Sequence, residues 1–157
     1  MSGSRAVSPI AVIDVETTGL FPLRHDRVIE IAVVIIRPDG VIEREFNTLV
    51  NPERDIGPSS IHGLAASDVI DAPRFGEIAG SFLDALAGTV AIAAHNIRFD
   101  RQFLEAEFTR MGSAFPDCFD FCTMQLANGR GLAKCCDAFG IPFEGEAHHA
   151  LTDARVA

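Results

Sequence analysis

The chain of 157 residues has the length of one ordinary domain, and its 48% hydrophobic and 22% charged residues exclude a largely disordered protein. No apolar stretch reaches the length of a membrane span, and the polar N-terminal segment lacks the apolar run of a secretory signal. We therefore expect a soluble, cytoplasmic protein with no membrane contact. The net charge of −9 argues against a protein that binds long duplexes, whereas short substrates or strand ends held through bound metal ions remain compatible with it.

The first third of the chain predicts three strands. A buried strand is expected over residues 9 to 15, a second over the almost entirely apolar residues 28 to 36, and a third near 41 to 50. A Pro-Asp-Gly turn signal at 38 to 40 separates the last two. We predict that the three strands form an antiparallel meander and that a loop covers residues 51 to 63.

The rest of the chain alternates helices with short strands. The predicted elements are an amphipathic helix from Pro73 to Gly88, a strand at 89 to 94, a helix from about 97 to 111, a brief strand near 118 to 121, and helices from about 123, from 131 to 139 and from about 148. This rhythm favours parallel strands with helices packed against the sheet.

Two carboxylates stand two residues apart at the end of the first predicted strand. Side chains alternate faces along a strand, so Asp14 and Glu16 are expected to project to the same side. Two like charges are expensive to bury unless a cation or a shared proton neutralises them. The pair therefore predicts a site for a hard metal ion. The alternative interpretation is that Glu16 begins a solvated loop.

The four cysteines allow three interpretations. Two disulfides are possible, but a domain of this size with a good core does not need them. Zinc ligation is possible at the spacing of Cys118 and Cys122, whereas the adjacent Cys135 and Cys136 suit a tetrahedral site poorly. We expect reduced, partly buried thiols.

Two later segments supply further carboxylates. Asp100 closes the sequence His-Asn-Ile-Arg-Phe-Asp after a predicted strand, and Asp153 closes His-His-Ala-Leu-Thr-Asp from His148. An aspartate at a helix start is, taken alone, more often a cap than a ligand. However, these two segments and Asp-Val-Glu-Thr-Thr-Gly-Leu from Asp14 to Leu20 together resemble the three motifs of the DEDDh family of 3′→5′ exonucleases. The sequence Ile-His-Gly-Leu at 61 to 64 resembles a loop of the same family. That family includes polymerase proofreading subunits of the epsilon type, RNase T and oligoribonuclease.

The resemblance implies an RNase H-like α/β fold, with a mixed five-stranded sheet flanked by helices and one exonuclease domain over residues 1 to 157. It also implies that Asp14, Glu16, Asp100 and Asp153 hold two Mg²⁺ or Mn²⁺ ions. In the family's assignment Asp14 bridges both ions, Glu16 and Asp153 complete the site of the ion that activates water, and Asp100 acts on the second ion through water.

The same resemblance makes His148 the general base. Helical spacing alone selects a different residue, because His149 and Asp153 would share a face if residues 148 to 153 formed one regular helix. The motif requires His148 to lie in the loop before that helix, where Gly145 supplies flexibility.

The predicted substrate contacts are less central to the chemistry. By resemblance they are Thr17, Thr18, Leu20, His62 and Phe99, and for His62 a solvated loop histidine is an equal alternative. The expected substrates are 3′ ends of single-stranded DNA or RNA, with a DNA polymerase or another replication or repair protein as a possible partner. A noncatalytic polymerase-associated module and a small-molecule phosphodiesterase are the alternative functions. The chain ends four residues after Asp153, so we expect either a truncated last helix or a longer natural protein.

Overall fold

The computed structural model describes residues 8 to 143 and 148 to 157. Its strands are β1 (Ile10–Thr17), β2 (Val28–Ile36), β3 (Ile42–Leu49), β4 (Ala91–Ala94) and β5 (Phe119–Cys122). Its helices are α1 (Ser59–His62), α2 (Ala66–Val69), α3 (Phe75–Leu86), α4 (Ile97–Arg110), α5 (Thr123–Leu126), α6 (Leu132–Phe139) and α7 (Ala150–Val156). None of the helices in the described ranges is long and apolar enough to cross a bilayer.

The five strands form one mixed sheet in the order β3-β2-β1-β4-β5. β1 pairs antiparallel with β2, and β2 antiparallel with β3, which confirms the predicted meander. β4 runs parallel to β1, and β5 parallel to β4. The carboxyl ends of β1 and β4 therefore lie at the same edge of the sheet, which is where open α/β sheets place their binding crevices.

Both faces of the sheet are covered. On one face α3 and α4 pack a cluster rich in phenylalanine against the odd-numbered residues of β1, among them Ala11 and Ile13. On the other face α7 packs Ala150 and Ala154 against the even-numbered Val12. β2 is buried along almost its whole length, as expected for an apolar strand between two layers.

The prediction that residues 51 to 63 form only a loop is wrong, because the segment ends in the one-turn helix α1. Gly63 stops this helix in the left-handed conformation, with φ 72°. Ile56 and Leu64 on either side of α1 are buried against Ile29 of β2. Tertiary packing, which a four-residue helix cannot reveal through its periodicity, decides the structure here.

A buried ion pair fixes the helix that follows β4. Glu107 of α4 is 1% exposed and accepts hydrogen bonds from Arg27 Nε at 2.8 Å and Nη2 at 2.9 Å. It also accepts the Val28 N–H at 3.2 Å. Because Arg27 and Val28 stand at the start of β2, their hydrogen bonds to the buried Glu107 hold α4 against this strand.

Candidate active site

β1 delivers the first two carboxylates to one face of the sheet. Asp14 and Glu16 share the even-numbered face of Val12, on which α7 packs, and both are half-buried. Val15 between them is buried on the opposite face. Glu16 lies within β1, with Glu30 as its cross-strand partner, so the alternative that Glu16 begins a solvated loop is wrong.

α4 delivers the third carboxylate. Asp100 is 3% exposed, and its Oδ1 accepts the Val15 N–H of β1 at 3.1 Å. The helix begins at Ile97, and the residue at its N-cap is Asn96. Asp100 is therefore not the cap that an aspartate near a helix start would suggest, because its hydrogen bond from Val15 ties α4 to the strand that carries Asp14 and Glu16.

The last turn and helix deliver the fourth carboxylate and a histidine. α7 begins at Ala150, and His148 precedes it in a turn, with φ 67°. His148, Glu16 and Asp153 each offer one ligand atom, and these atoms lie within 4.8 Å of one another. The His149 ring lies instead toward β2, with Nδ1 at 3.9 Å from Glu30 Oε2. Gly145, expected to give this segment flexibility, lies outside the described residues.

The carboxylates hold their protons unusually tightly in the metal-free protein. Burial raises the pKa of Asp14 well above its ordinary value, and the charges of Asp100, Glu16, Asp153 and Glu30 raise it further. Burial and the charge of Asp153 raise the pKa of Glu16 to about 8. Burial raises the pKa of Asp100 to about 8 despite the hydrogen bond from Val15, and burial also raises the pKa of Asp153.

These carboxylates suit a hard divalent cation. Within the described ranges, Asp153 Oδ1 is the one buried side-chain oxygen or nitrogen atom without a hydrogen-bond partner. A buried carboxylate oxygen without a hydrogen-bond donor is costly, and a bound cation would compensate it in place of a donor. Carboxylate oxygens are the ligands that Mg²⁺ and Mn²⁺ prefer. Of the four predicted metal ligands, Glu16 and Asp153 therefore stand with His148 in a group that can hold a divalent ion, and Asp14 lies close enough to feel the charges of Asp100, Glu16 and Asp153.

The cysteines lie outside this group. All four are free thiols. Cys122, Cys135 and Cys136 are buried, and Cys118 is half-buried. Among the described residues, the side chains whose ligand atoms come together are those of Glu16, His148 and Asp153, and no cysteine belongs to this set.

The loop after β1 is shaped by a residue that sequence reasoning missed. Thr17 Oγ1 donates to Gly19 O at 2.7 Å, and Thr18 Oγ1 donates to Asp26 Oδ1 at 3.0 Å. Asp26 Oδ2 also accepts the Phe21 N–H at 2.9 Å. A Cβ at Gly19 would lie 2.4 Å from Asp26 Oδ2, so a larger residue there would displace the Asp26 carboxylate from these hydrogen bonds. In the sequence, Gly19 is the one sign of a close approach at this loop, and it does not reveal which residue approaches.

The loop presents the third predicted contact residue to solvent. Leu20 is 71% exposed, which leaves its side chain available to a nucleotide base. The threonine hydroxyls, by contrast, already donate within the loop. Any contact that Thr17 and Thr18 make with substrate is therefore expected through their backbone groups.

The other two predicted contact residues are less exposed than Leu20: His62 is buried and Phe99 is half-buried. His62 is 2% exposed, its Nε2 lies 3.0 Å from Ile56 O, and its Nδ1 accepts the Leu64 N–H at 3.2 Å. The alternative of a solvated loop histidine is therefore wrong, and substrate contact by His62 stays a prediction. Phe99 is half-buried, with its ring centroid 4.9 Å from that of Phe103.

Comparison with known proteins identifies relatives along most of the chain. Residues 11 to 157 match the model of a family described as exonuclease. A DNA polymerase III subunit epsilon-like protein of Rhodobacter capsulatus is 34% identical over 93% of the chain, and the 3′-5′ exonuclease DinG of Bacillus subtilis is 36% identical over 92%. The chain spans only 22% and 16% of the lengths of these two relatives.

A solved structure shares the fold. The nuclease domain of 3′hExo, a DEDDh family member bound to rAMP, matches with a TM-score of 0.78 at 20% identity, over 97% of this chain and 88% of that domain. The predicted RNase H-like fold, with its mixed five-stranded sheet flanked by helices, is confirmed.

Proposed function

The chain belongs to the exonuclease family, and we propose that it is a metal-dependent 3′→5′ exonuclease acting on the 3′ ends of single-stranded DNA or RNA. Each cycle would hydrolyse the last phosphodiester bond and release a nucleoside 5′-monophosphate. The observation that most supports this proposal is the meeting of carboxylates from β1, α4 and α7, together with His148, at one edge of the sheet.

The carboxylates would hold the cofactor. Two Mg²⁺ or Mn²⁺ ions, when bound, would supply an activated water and stabilise the charge on the transferring phosphate and the leaving oxygen. Asp14 would contribute to both ions, Glu16 and Asp153 to one, and Asp100 to the other. The unpaired Asp153 Oδ1 and the raised pKa values of Asp14 and Glu16 support this role, because both are expected of metal ligands when no ion is bound.

The remaining residues would handle the proton and the substrate. The His148 ring, within 4.8 Å of ligand atoms on Glu16 and Asp153, would accept a proton from the attacking water. The backbone of Thr17 and Thr18 would bind the terminal sugar, Leu20 would pack on the terminal base, and His62 and Phe99 would line the same pocket. A relative whose name places it beside DNA polymerase III supports a polymerase or another replication or repair protein as partner. A cytoplasmic location stays a prediction.

A labelled oligonucleotide tests the proposal. With Mg²⁺ or Mn²⁺, a single strand labelled at its 5′ end should yield a ladder that shortens from the 3′ end, and a 3′-blocked strand should not. DNA, RNA and dinucleotide substrates compared side by side would rank the substrates. An intact strand with cleavage of small phosphodiesters would favour a small-molecule phosphodiesterase. No hydrolysis of either substrate would favour a noncatalytic module.

The raised pKa values predict an unusual dependence of stability on pH. Between about pH 4 and pH 8 the metal-free folded state keeps carboxyl protons that the unfolded chain has released. The raised pKa values therefore leave the free energy of unfolding undiminished below the unfolded pKa values. They lower it progressively as the pH rises from there to about 8. In EDTA we expect Tm to fall by at least about 5 °C between pH 5.5 and pH 8.5.

Metal should cancel that fall. Mn²⁺ binds the ionised carboxylates of the folded state and adds about 2.7 kcal/mol at a hundredfold excess over Kd. Thermal melts at both pH values with EDTA and with Mn²⁺ make the measurement. The lower pH stays above the range in which Glu45 loses its stabilising charge, since the hydrogen bond from Arg155 lowers the pKa of Glu45. A Tm in EDTA that rises with pH, or does not respond to Mn²⁺, would contradict the prediction.

A further inference from the structure

A buried carboxylate that the proposed chemistry does not use lies beside the candidate site. Glu30 is the one charged residue of β2, and it is 4% exposed. It is the cross-strand partner of Glu16, so it lies on the face of the sheet that α7 covers. Burying a carboxylate without partners is costly, which directs attention to the group that Glu30 binds.

That group is the start of α7. Glu30 Oε2 accepts the Ala150 N–H at 3.1 Å, and Ala150 is fully buried. The first N–H groups of a helix have no acceptor within the helix. The N-cap residue, His149, makes no side-chain capping hydrogen bond. Glu30, 120 positions earlier in the chain, therefore provides the acceptor that a capping side chain would otherwise supply.

The capped residue stands between two groups of the candidate site. His148 lies two positions before Ala150, in a turn with φ 67°, a conformation that residues other than glycine seldom adopt. Such a conformation persists only where surrounding contacts hold it. Asp153 follows in the first turn of α7, and its N–H donates to His149 O at 3.0 Å. Fixing the Ala150 N–H therefore fixes the backbone on both sides of it.

We infer that Glu30 is a positioning residue: by accepting the Ala150 N–H, it holds the first turn of α7 where His148 and Asp153 meet Glu16. The kinetic consequence rests on the proposed function. The consequence for metal binding does not, because it depends only on where Asp153 and Glu16 stand relative to each other.

Two substitutions with side chains similar in volume to that of Glu30 test whether the hydrogen-bond acceptor or the carboxylate itself is needed. Glu30→Gln keeps an oxygen that can accept the Ala150 N–H, and Glu30→Met fills the space without one. Glu30→Met fills the same volume and leaves one buried N–H without its acceptor, a cost well below the stability of a typical domain, so Glu30→Met should fold. We expect Glu30→Met to lower kcat by about 10–100-fold with little change in KM, and to weaken Mn²⁺ binding about tenfold. Glu30→Gln should keep both quantities within about threefold of the wild type.

A matched control tests whether any loosening of α7 has the same effect. Glu45 of β3 binds the other end of this helix, accepting from Arg155 Nε and Nη2 at 2.7 Å each. Glu45→Met should leave kcat and Mn²⁺ affinity within about twofold of the wild type, because it removes a partly exposed ion pair far from His148. Mn²⁺ affinity is read without substrate, from the electron paramagnetic resonance signal of the free ion.

The outcomes separate the inference from the proposed function. Wild-type activity retained in Glu30→Met, or equal losses in Glu30→Gln and Glu30→Met, would overturn the positioning role. A loss confined to Tm would overturn it as well, since that is what a merely structural residue shows. If Glu30→Met fails to fold, Glu30→Ala takes its place: a loss of kcat of tenfold or more, beside a Glu30→Gln near the wild type, supports the role, and kcat near the wild type in Glu30→Ala refutes it. An inactive wild type with the Mn²⁺ difference intact would refute the proposed function and support the inference.

Discussion

Asp14→Asn is expected to lower kcat about 1000-fold, because the metal ions supply several kcal/mol of charge stabilisation and each 1.36 kcal/mol is tenfold in rate. The same substitution should raise the Tm of the metal-free protein. Burial and the charges of Asp100 and Glu16 raise the pKa of Asp14, so at pH values above the ordinary pKa of an aspartate this side chain makes folding less favourable than a neutral one would. A neutral amide removes that repulsion, and each kcal/mol gained raises Tm by about 2–4 °C in a domain of this size.

Lower activity together with a higher Tm distinguishes a metal ligand from a structural carboxylate. Substituting a carboxylate that stabilises the fold should lower both activity and Tm. Substituting a metal ligand in a cluster of mutually repelling carboxylates should lower activity but raise the Tm in EDTA. Single-turnover cleavage of a 3′ end and thermal melts at about pH 8 provide the two readings. Asp84→Asn on the exposed face of α3 is the control and should change neither. Retained activity in Asp14→Asn would remove the basis of the proposed function.

The fold and the carboxylates could be predicted because their signals are local and periodic. The apolar run of β2 and the alternation around Asp14 and Glu16 specify strands and faces without knowledge of the rest of the chain. The order of strand and helix before Asp100 predicts an acidic side chain near the carboxyl ends of parallel strands. The structure places Asp100 there, with a hydrogen bond from Val15.

The supporting contacts could not be predicted because they join distant positions. Glu30 meets Ala150 across 120 residues, and only the register of β2 against β1 and the packing of α7 bring them together. Asp26 closes the loop after β1 through hydrogen bonds that no spacing rule anticipates. Helical periodicity favours His149 over His148 because it assumes a helix from residue 148. The helix begins at Ala150, so periodicity does not apply to the turn that carries His148.

The choice between the two histidines leads to the second large effect. His148→Ala is expected to lower kcat by about 100–10,000-fold, the range over which a general base contributes. His149→Ala should leave kcat within about threefold of the wild type, since its ring lies toward Glu30 and the Ala150 N–H keeps its acceptor without it. Steady-state cleavage of a 5′-labelled strand by the two variants, prepared in parallel, gives the comparison.

Metal affinity then distinguishes a base from a ligand. The ligand atoms of His148, Glu16 and Asp153 lie within 4.8 Å of one another, a geometry that also permits His148 to bind an ion directly. A base that acts on water leaves Mn²⁺ affinity unchanged when it is removed, whereas loss of a ligand weakens binding by about tenfold or more. We expect unchanged Mn²⁺ binding in His148→Ala, with the loss confined to kcat. Equal losses in the two variants, or the greater loss in His149→Ala, would transfer the role away from His148 and leave the carboxylates as the catalytic core of the site.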